Sequence, residues 1–157
     1  MAAAAQMSPA DRDKMIGGMI AQLAAKMAAN PNDLDGWMRL GRAYAVQDQP
    51  DKALDAYDHA AKLSPDDPGI KLQTVSVLLS RLKPADPIPD RAVTLLREAA
   101  TKAPEAQEVL WYLGIVAARE GHAVDARQNW TKLLAALSKD GDDYKMVQAA
   151  LAELPPS

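Results

Sequence analysis

The chain has 157 residues, of which 48% are hydrophobic and 25% are charged, a composition typical of a soluble globular protein and not of a disordered chain. Its net charge of -3 gives no general attraction to nucleic acid or to an anionic membrane surface, so neither is expected as a partner. The lack of cysteine excludes disulfides, thiolate metal sites and a cysteine nucleophile. No segment approaches the roughly 20 consecutive apolar residues that a membrane-spanning helix requires.

Apolar residues recur at helical spacing along most of the chain, and Ala and Leu, both strong helix formers, dominate. The sequence therefore predicts an all-α fold. Residues 1–7 are expected to be a disordered leader and residues 155–157 a tail, with a single domain over residues 8–154. The predicted helices span residues 9–29, 34–47, 51–63, 68–81, 89–102, 106–120, 123–138 and 142–154.

Residues 34–67 carry a known repeat signature. Its letters are Trp37-x2-Leu40-Gly41-x2-Tyr44, then Ala53-x3-Tyr57-x2-Ala60, then Pro65. This is the 34-residue tetratricopeptide pattern, with Tyr57 in place of the usual Phe. The spacing has a physical basis, because Trp37, Leu40 and Tyr44 share one stripe of a helix. Gly41 is small where the second helix of the pair must approach closely.

Two further copies follow, at about residues 68–106 and 107–140. Asp67 and Pro68 predict a helix start for the first of them. The markers of its second helix come five residues late, and the surplus lies in the Pro-rich segment 82–89, which we interpret as a lengthened loop. The helices at 9–29 and 142–154 are predicted to cap the ends, so that the whole forms a tetratricopeptide helix-pair solenoid.

A stack of helix pairs buries the apolar faces that a single pair leaves open, and the stack curves. In tetratricopeptide arrays the first helix of each pair lines the concave side, which predicts a peptide-binding groove. The predicted groove residues are Met38, Arg39, Arg42, Leu72, Gln73, Ser76, Trp111, Tyr112, Ile115 and Arg119.

Trp111 and Tyr112 are the most informative of these residues, because Leu110 and Leu113 already occupy the stacking positions of their helix. Surplus aromatic side chains near Met and Arg are typical of an interface hot spot, and an amphipathic helix would match them. The arginines of the groove could pair with acidic groups on a ligand. The alternative is that the N-terminal or the C-terminal helix folds over Trp111 and Tyr112 and buries them.

Several chemistries have no counterpart in the sequence. Some tetratricopeptide domains grip the C-terminal carboxylates of chaperones with Lys, Asn and Arg at five positions. Those positions here hold Met38, Arg42, Gln73, Glu108 and Tyr112. His59 and His122 lack a partner at a metal-binding or catalytic spacing, and we interpret them as solvated surface residues. We therefore expect no catalytic residues, no metal and no cofactor, and thus a protein that is not an enzyme.

Parts of the sequence resemble one family more closely than the repeat signature alone does. The stretch Asp13 to Ala24, DKMIGGMIAQLA, leads into Asn30 to Trp37, NPNDLDGW. Together with the long loop and the string Trp130-Thr131-Lys132-Leu133-Leu134 before the final helix, these stretches resemble the periplasmic tetratricopeptide domain of the CcmI/CycH family of bacterial cytochrome c maturation proteins. The resemblance covers about residues 8–154.

This resemblance implies a chaperone that holds apocytochrome c, notably its C-terminal helix, for the subunits of the haem-ligation complex. It also implies a periplasmic location, since the full-length members of the family are anchored to the inner membrane. Two alternatives stay open. One is a tetratricopeptide scaffold that assembles other protein complexes, and the other is an NrfG-like partner in nitrite-reductase maturation.

Overall fold

A computed structural model of the protein describes residues 8–156, and within these residues it contains eight α-helices and no strand. The helices are α1 (Pro9–Ala29), α2 (Leu34–Val46), α3 (Pro50–Leu63), α4 (Pro68–Ser80), α5 (Asp90–Lys102), α6 (Gln107–Arg119), α7 (Ala123–Ala136) and α8 (Asp142–Ala152). Each begins and ends within two residues of its predicted bounds, which confirms the predicted all-α fold. The predicted leader and Ser157 lie outside the described residues. No helix of the described part of the chain combines the length and the apolar character needed to cross a membrane.

The helix starts that the sequence predicts are formed by capping side chains. The Asp67 carboxylate accepts hydrogen bonds from the backbone N–H groups of Gly69, at 2.7 Å, and Ile70, at 3.3 Å. Pro68 follows in the first turn of α4. Ser8 caps α1 in the same way. These oxygens satisfy N–H groups that have no partner inside the helix, so the chain leaves each loop at a defined residue.

Contacts between helices divide the chain into two compact units, with the boundary between Asp66 and Asp67. The first unit contains α1, α2 and α3, and thus the predicted N-terminal cap and the first repeat. The second unit contains α4 to α8, and thus the other two repeats and the predicted C-terminal cap. The single domain predicted over residues 8–154 stays a prediction.

In the first unit, α2 and α3 form the predicted helix pair. Its core contains Trp37, Leu40 and Tyr57, none of which is more than 7% exposed. A methyl group on Gly41 would overlap the ring of Tyr57, which confirms the predicted close approach of the two helices. Met27 is the residue through which α1 joins this core, since its side chain is fully buried.

His59 is predicted to be a solvated surface residue, but its side chain is only partly exposed, at 38%. Its ring stacks on that of Trp37, with centroids 4.2 Å apart and planes inclined by 9°. The indole N–H of Trp37 donates a hydrogen bond of 2.8 Å to the carbonyl oxygen of Pro31. Trp37 therefore connects His59 on α3 to the loop that precedes α2. The face of the His59 imidazole packs against the indole ring.

An ion pair replaces this stack in the second repeat. Lys71 follows Trp37 by 34 residues, which is one repeat, and Glu98 follows His59 by 39 residues. The ammonium group of Lys71 on α4 pairs with the carboxylate of Glu98 on α5. The same two repeat positions are therefore partners in both helix pairs, and the five extra residues lie between α4 and α5, as predicted.

The lengthened loop between α4 and α5 is held by Arg119 at the end of α6. The guanidinium group donates to the carbonyl oxygens of Lys83, at 2.6 Å, and Asp86, at 2.9 Å, with a longer contact of 3.4 Å to that of Pro84. The loop also closes on itself, because the backbone N–H of Lys83 donates to the Asp86 carboxylate at 2.8 Å. The Pro-rich segment is thus a turn in which several backbone groups are hydrogen-bonded.

Two apolar clusters form the core of the second unit, and α6 contributes to both. The first cluster joins α4, α5 and α6 through Leu72, Val75, Leu96, Ala99, Val109 and Val116. The second joins α6, α7 and α8 through Leu110, Ala117, Ala126, Trp130, Leu133 and Val147. Tyr112 packs at the margin of the first cluster and Trp111 at the margin of the second. These neighbouring aromatic residues therefore serve two different interfaces of one helix.

Candidate functional site

An open cleft of about 170 Å³ lies between α6, α7 and α8 in the second unit. Its lining residues are Gln107, Glu108, Trp111, Tyr112, Leu133, Leu137, Asp143, Met146 and Val147. Most of this surface is apolar, and its polar side chains are Gln107, Glu108 and Asp143, together with Tyr112. An apolar space of roughly this size holds one benzene-sized group, which corresponds to one large side chain of a ligand.

Trp111 is the largest aromatic residue of the cleft, and it is held in place by Trp130. The indole N–H of Trp130 donates a hydrogen bond of 3.2 Å to the backbone carbonyl of Trp111. The two ring systems are 5.7 Å apart between centroids and tilted by 32°, a geometry that is favourable for aromatic pairs. Trp130 is buried, whereas Trp111 is half-buried. Part of the Trp111 ring thus stays accessible from the cleft.

Tyr112 lines the same cleft and is bonded to a second predicted groove residue. Its side chain is hydrogen-bonded to that of Ser76 on α4. Burial raises the pKa of the Tyr112 hydroxyl, the hydrogen bond from Ser76 lowers it, and the nearby Glu108 carboxylate raises it further. Tyr112 is therefore neutral at physiological pH, and its hydroxyl group is engaged by Ser76 on α4.

The charged groups of the cleft are of one sign. Glu108 stands in the first turn of α6 and Asp143 in the first turn of α8, and both residues are exposed. Among the residues that line the cleft there is no Lys or Arg. The two carboxylates therefore favour a positively charged group on a ligand. The arginines that the sequence predicts for the groove would favour an acidic group instead.

The assignment of Leu72 to the groove surface needs correction. Leu72 is 4% exposed and belongs to the core cluster that also contains Leu96 and Val109. The physical reason is that the apolar residues of α4 are distributed around the helix, so that several sides of it are buried. Leu72 supports the second unit from within and presents no surface to a ligand.

The other predicted residues of the second unit fall into different environments. Ile115 is half-buried and packs against the cluster around Trp130. Gln73 is half-buried on α4. Arg119 is exposed, and its guanidinium group is bonded to the Pro-rich loop, which gives it a structural role. Its predicted contact with a ligand stays a prediction.

Three predicted groove residues lie on α2 in the first unit. Met38 is half-buried, and Arg39 and Arg42 are exposed. A groove that contains these three residues together with Trp111 and Tyr112 stays a prediction.

Sequence reasoning misses the side of the cleft that α8 provides. It predicts α8 only as a cap over the last repeat, and the structure buries Val147 but leaves Met146 47% exposed at the cleft. The alternative was a terminal helix that buries the aromatic pair; α8 forms a wall beside Trp111 and Tyr112 but leaves both half-exposed. The available signal was the large apolar Met146 next to acidic Asp143 on one turn of a short helix.

The cleft offers an apolar wall and a few polar groups. Within residues 8–156, no three His, Asp or Glu side chains lie close enough together to hold a metal ion. The polar groups of the cleft can orient a ligand by hydrogen bonds and charge, and the apolar wall can take up a side chain.

Comparison with known families and relatives gives a consistent result. A family model described as "Cytochrome c-type biogenesis protein H TPR domain" matches residues 3–144. The cytochrome c-type biogenesis protein CycH of Rhizobium meliloti is 45% identical over 65 residues, which are 41% of this chain and 17% of that protein. CycH of Pseudomonas aeruginosa is 28% identical over 133 residues, 85% of this chain and 32% of that protein. The chain therefore spans less than a third of the length of these relatives.

Two further similarities concern a different system and the fold. The formate-dependent nitrite reductase complex bifunctional subunit NrfFG of Haemophilus influenzae is 40% identical over 52 residues, 33% of this chain and 14% of that protein. A thermophilic tetratricopeptide protein of Thermus thermophilus, TTC0263, superimposes with a TM-score of 0.67 at 20% identity, over 88% of this chain and 74% of that one. The second similarity shows that the fold is that of a tetratricopeptide protein.

Proposed function

This chain belongs to the family of the cytochrome c-type biogenesis protein H TPR domain, and from that premise we propose that it is a non-catalytic module that holds apocytochrome c by its C-terminal helix for haem ligation. Its partners are then the apocytochrome and the subunits of the haem-ligation complex, and its place of action is the periplasm. Cytochrome c-type biogenesis is the process that the names of its relatives state.

The observation that supports this proposal best is the apolar cleft beside α6. Recognition of an amphipathic helix depends on a few apolar side chains that insert into a hydrophobic surface. The cleft has room for one such side chain, between the half-exposed ring of Trp111 and the side chain of Met146. Trp130 packs against the ring of Trp111 and is hydrogen-bonded to its backbone, so Trp111 loses little conformational entropy when a ligand packs against it.

A site of this kind discriminates between unfolded and folded cytochrome by a simple physical rule. In a folded protein the apolar face of a terminal helix is buried against the core, whereas in the unfolded chain it is available. The cleft binds an apolar side chain, so it competes with the cytochrome's own core for the same face of the helix. The apoprotein is therefore its expected ligand, and haem insertion followed by folding would release it.

Non-catalytic binding is the role that we propose for the cleft, because its apolar wall suits uptake of a side chain. General acid–base catalysis needs a group whose pKa lies near the working pH, within hydrogen-bond reach of a reacting atom. Burial moves the pKa of Tyr112 upward, away from neutrality. The lining residues include no Ser, Lys or His that could act as a nucleophile or as its base.

A second candidate function is favoured by the similarity to NrfFG. That match supports a tetratricopeptide scaffold for other protein complexes, and in particular a partner in the maturation of a nitrite reductase. The two functions differ in their ligand. The first requires affinity for the C-terminal helix of an apocytochrome c, and the second requires affinity for a different C-terminal peptide or for folded subunits.

The proposed function is tested by calorimetric titration of the purified chain with apocytochrome c, with holocytochrome c and with a synthetic peptide of the C-terminal cytochrome helix. We expect the apoprotein and the peptide to bind, and the holoprotein to bind more weakly. Binding to neither form of the cytochrome would contradict the proposal. Pull-down of folded subunits by a chain without affinity for the peptide would favour the scaffold.

A further inference from the structure

The cleft between α6, α7 and α8 has an apolar wall and an acidic edge, and this division points to a class of ligand. We propose that it selects helical peptides in which one large apolar side chain is flanked by Lys or Arg. The inference rests on the proposed function, because it specifies the ligand chemistry of the same cleft.

The apolar part of the ligand follows from the size and composition of the wall. The residues that provide it are Trp111, Leu133, Leu137, Met146 and Val147. A space of about 170 Å³ accommodates one large side chain and not a row of them. The anchor is therefore a single Leu, Met or aromatic residue, and the rest of the peptide stays at the rim.

The basic part of the ligand follows from the carboxylates at the edge. Glu108 and Asp143 both line the cleft, and no Lys or Arg stands among the lining residues to neutralise them. A peptide that carries Lys or Arg next to its apolar anchor places a positive charge near these groups, whereas an acidic neighbour is repelled. Exposed ion pairs are individually weak, so each carboxylate is expected to change the affinity only a few-fold.

The positions of Glu108 and Asp143 can also be explained by helix stability instead of ligand binding. A control variant separates the two explanations. Both stand in the first turn of a helix, where negative charge favours the helix dipole. Asp142 stands in the same turn of α8 and does not line the cleft. It pairs with Lys145 at 3.6 Å. Neutralisation of Asp142 thus removes a charge from the same helix end as neutralisation of Asp143, at a position away from the ligand.

The experiment uses two synthetic amphipathic helical peptides with the same apolar residues, one with Lys and one with Glu beside the anchor. Fluorescence anisotropy of the labelled peptides measures their affinity for the whole chain. The Lys peptide is expected to bind more tightly. Asp143→Asn and Glu108→Gln should each weaken its binding by about twofold to fivefold, and Asp142→Asn should leave it unchanged. The preference should also shrink in 1 M salt, where the screening length is about 3 Å.

The outcomes separate this inference from the proposed function. Equal affinity for the two peptides, or an equal effect of Asp142→Asn and Asp143→Asn, overturns the charge selection even in a chain that binds apocytochrome c. A preference for the Lys peptide that is lost in the Asp143 and Glu108 variants supports the selection even in a chain that does not bind apocytochrome c. The doubly reversed variant Glu108→Lys with Asp143→Lys should prefer the Glu peptide, and thermal unfolding of each variant shows that it is folded.

Discussion

The indole ring of Trp130 lies against α6 at Gly114, so closely that a methyl group at residue 114 would overlap the nitrogen end of the ring. From this position the indole N–H reaches the backbone carbonyl of Trp111. The orientation of Trp111 at the cleft therefore depends on a glycine that does not line the cleft. A change in the packing of α6 against α7 would therefore also change the cleft.

Gly114→Ala is expected to lower the free energy of unfolding by about 1–3 kcal/mol, because Trp130 must move to make room for the methyl group. Gly17→Ala is the matched control, since Gly17 also lies inside a helix but has no atom within 4 Å of the added methyl group. The control should leave stability unchanged or raise it by up to about 1 kcal/mol. Urea denaturation of both variants checks this, and equal destabilisation would contradict the close packing at Gly114.

Replacement of both Trp111 and Tyr112 by Ala is expected to weaken binding of the C-terminal cytochrome helix by at least about 2 kcal/mol, as for hot-spot residues. Because both side chains also pack on the core, Met146→Ala is a milder variant that should weaken binding without loss of fold. Met15→Ala removes a methionine of similar exposure on α1, 42% against 47%, and is the control. Calorimetry that finds unchanged affinity in the double variant would remove the aromatic pair from the site.

The stack of His59 on Trp37 is expected to stabilise the first repeat by about 1 kcal/mol. His59→Ala should therefore lower the free energy of unfolding by about this amount. His122→Ala, at an exposed position, should change it by less than about 0.5 kcal/mol. A double-mutant cycle with Trp37→Leu isolates the interaction, and a coupling energy of zero would show that the two rings stack without stabilising the fold.

Stability is expected to fall at alkaline pH because of Tyr57. Burial raises the pKa of its hydroxyl above the usual value of 10.0, although the positive charge of Arg42 lowers it in part. The folded state thus favours the neutral phenol, so the contribution of Tyr57 to stability is complete below pH 10 and is lost as the pH rises through the folded pKa. Tyr57→Phe should show a shallower loss of stability above pH 10, measured by denaturation at successive pH values. An unchanged slope would contradict the burial of a titrating hydroxyl.

Much of the fold could be predicted because periodic patterns report local geometry. The spacing of Trp37, Leu40 and Tyr57 indicates which faces of two helices meet, and all three residues are buried. Asp67 and Pro68 indicate where α4 begins, and the structure agrees. Such signals depend only on residues a few positions apart, so they can be recognised directly in the sequence.

The site was less predictable because it depends on departures from the average repeat. Position within a repeat places Leu72 and Arg119 on the concave face. It does not reveal that α4 is apolar on several sides, which buries Leu72. It also does not reveal that the guanidinium group of Arg119 is hydrogen-bonded to the inserted loop. It is equally silent about α8, whose residues have no counterpart in the repeat signature. In the sequence, Glu108 is noted only because it does not match the carboxylate-binding positions of chaperone-binding tetratricopeptide domains. The structure shows that it lines the same cleft as Asp143.

The bonds from Arg119 to the Pro-rich loop connect neighbouring repeats, since the arginine belongs to the third repeat and the loop to the second. In repeat proteins, stability is approximately the sum of what each repeat contributes alone and of the coupling between neighbours. An insertion that is bonded to the next repeat increases the coupling term. The second and third repeats are thus expected to unfold as one cooperative block, and shortening the loop would make their unfolding more independent.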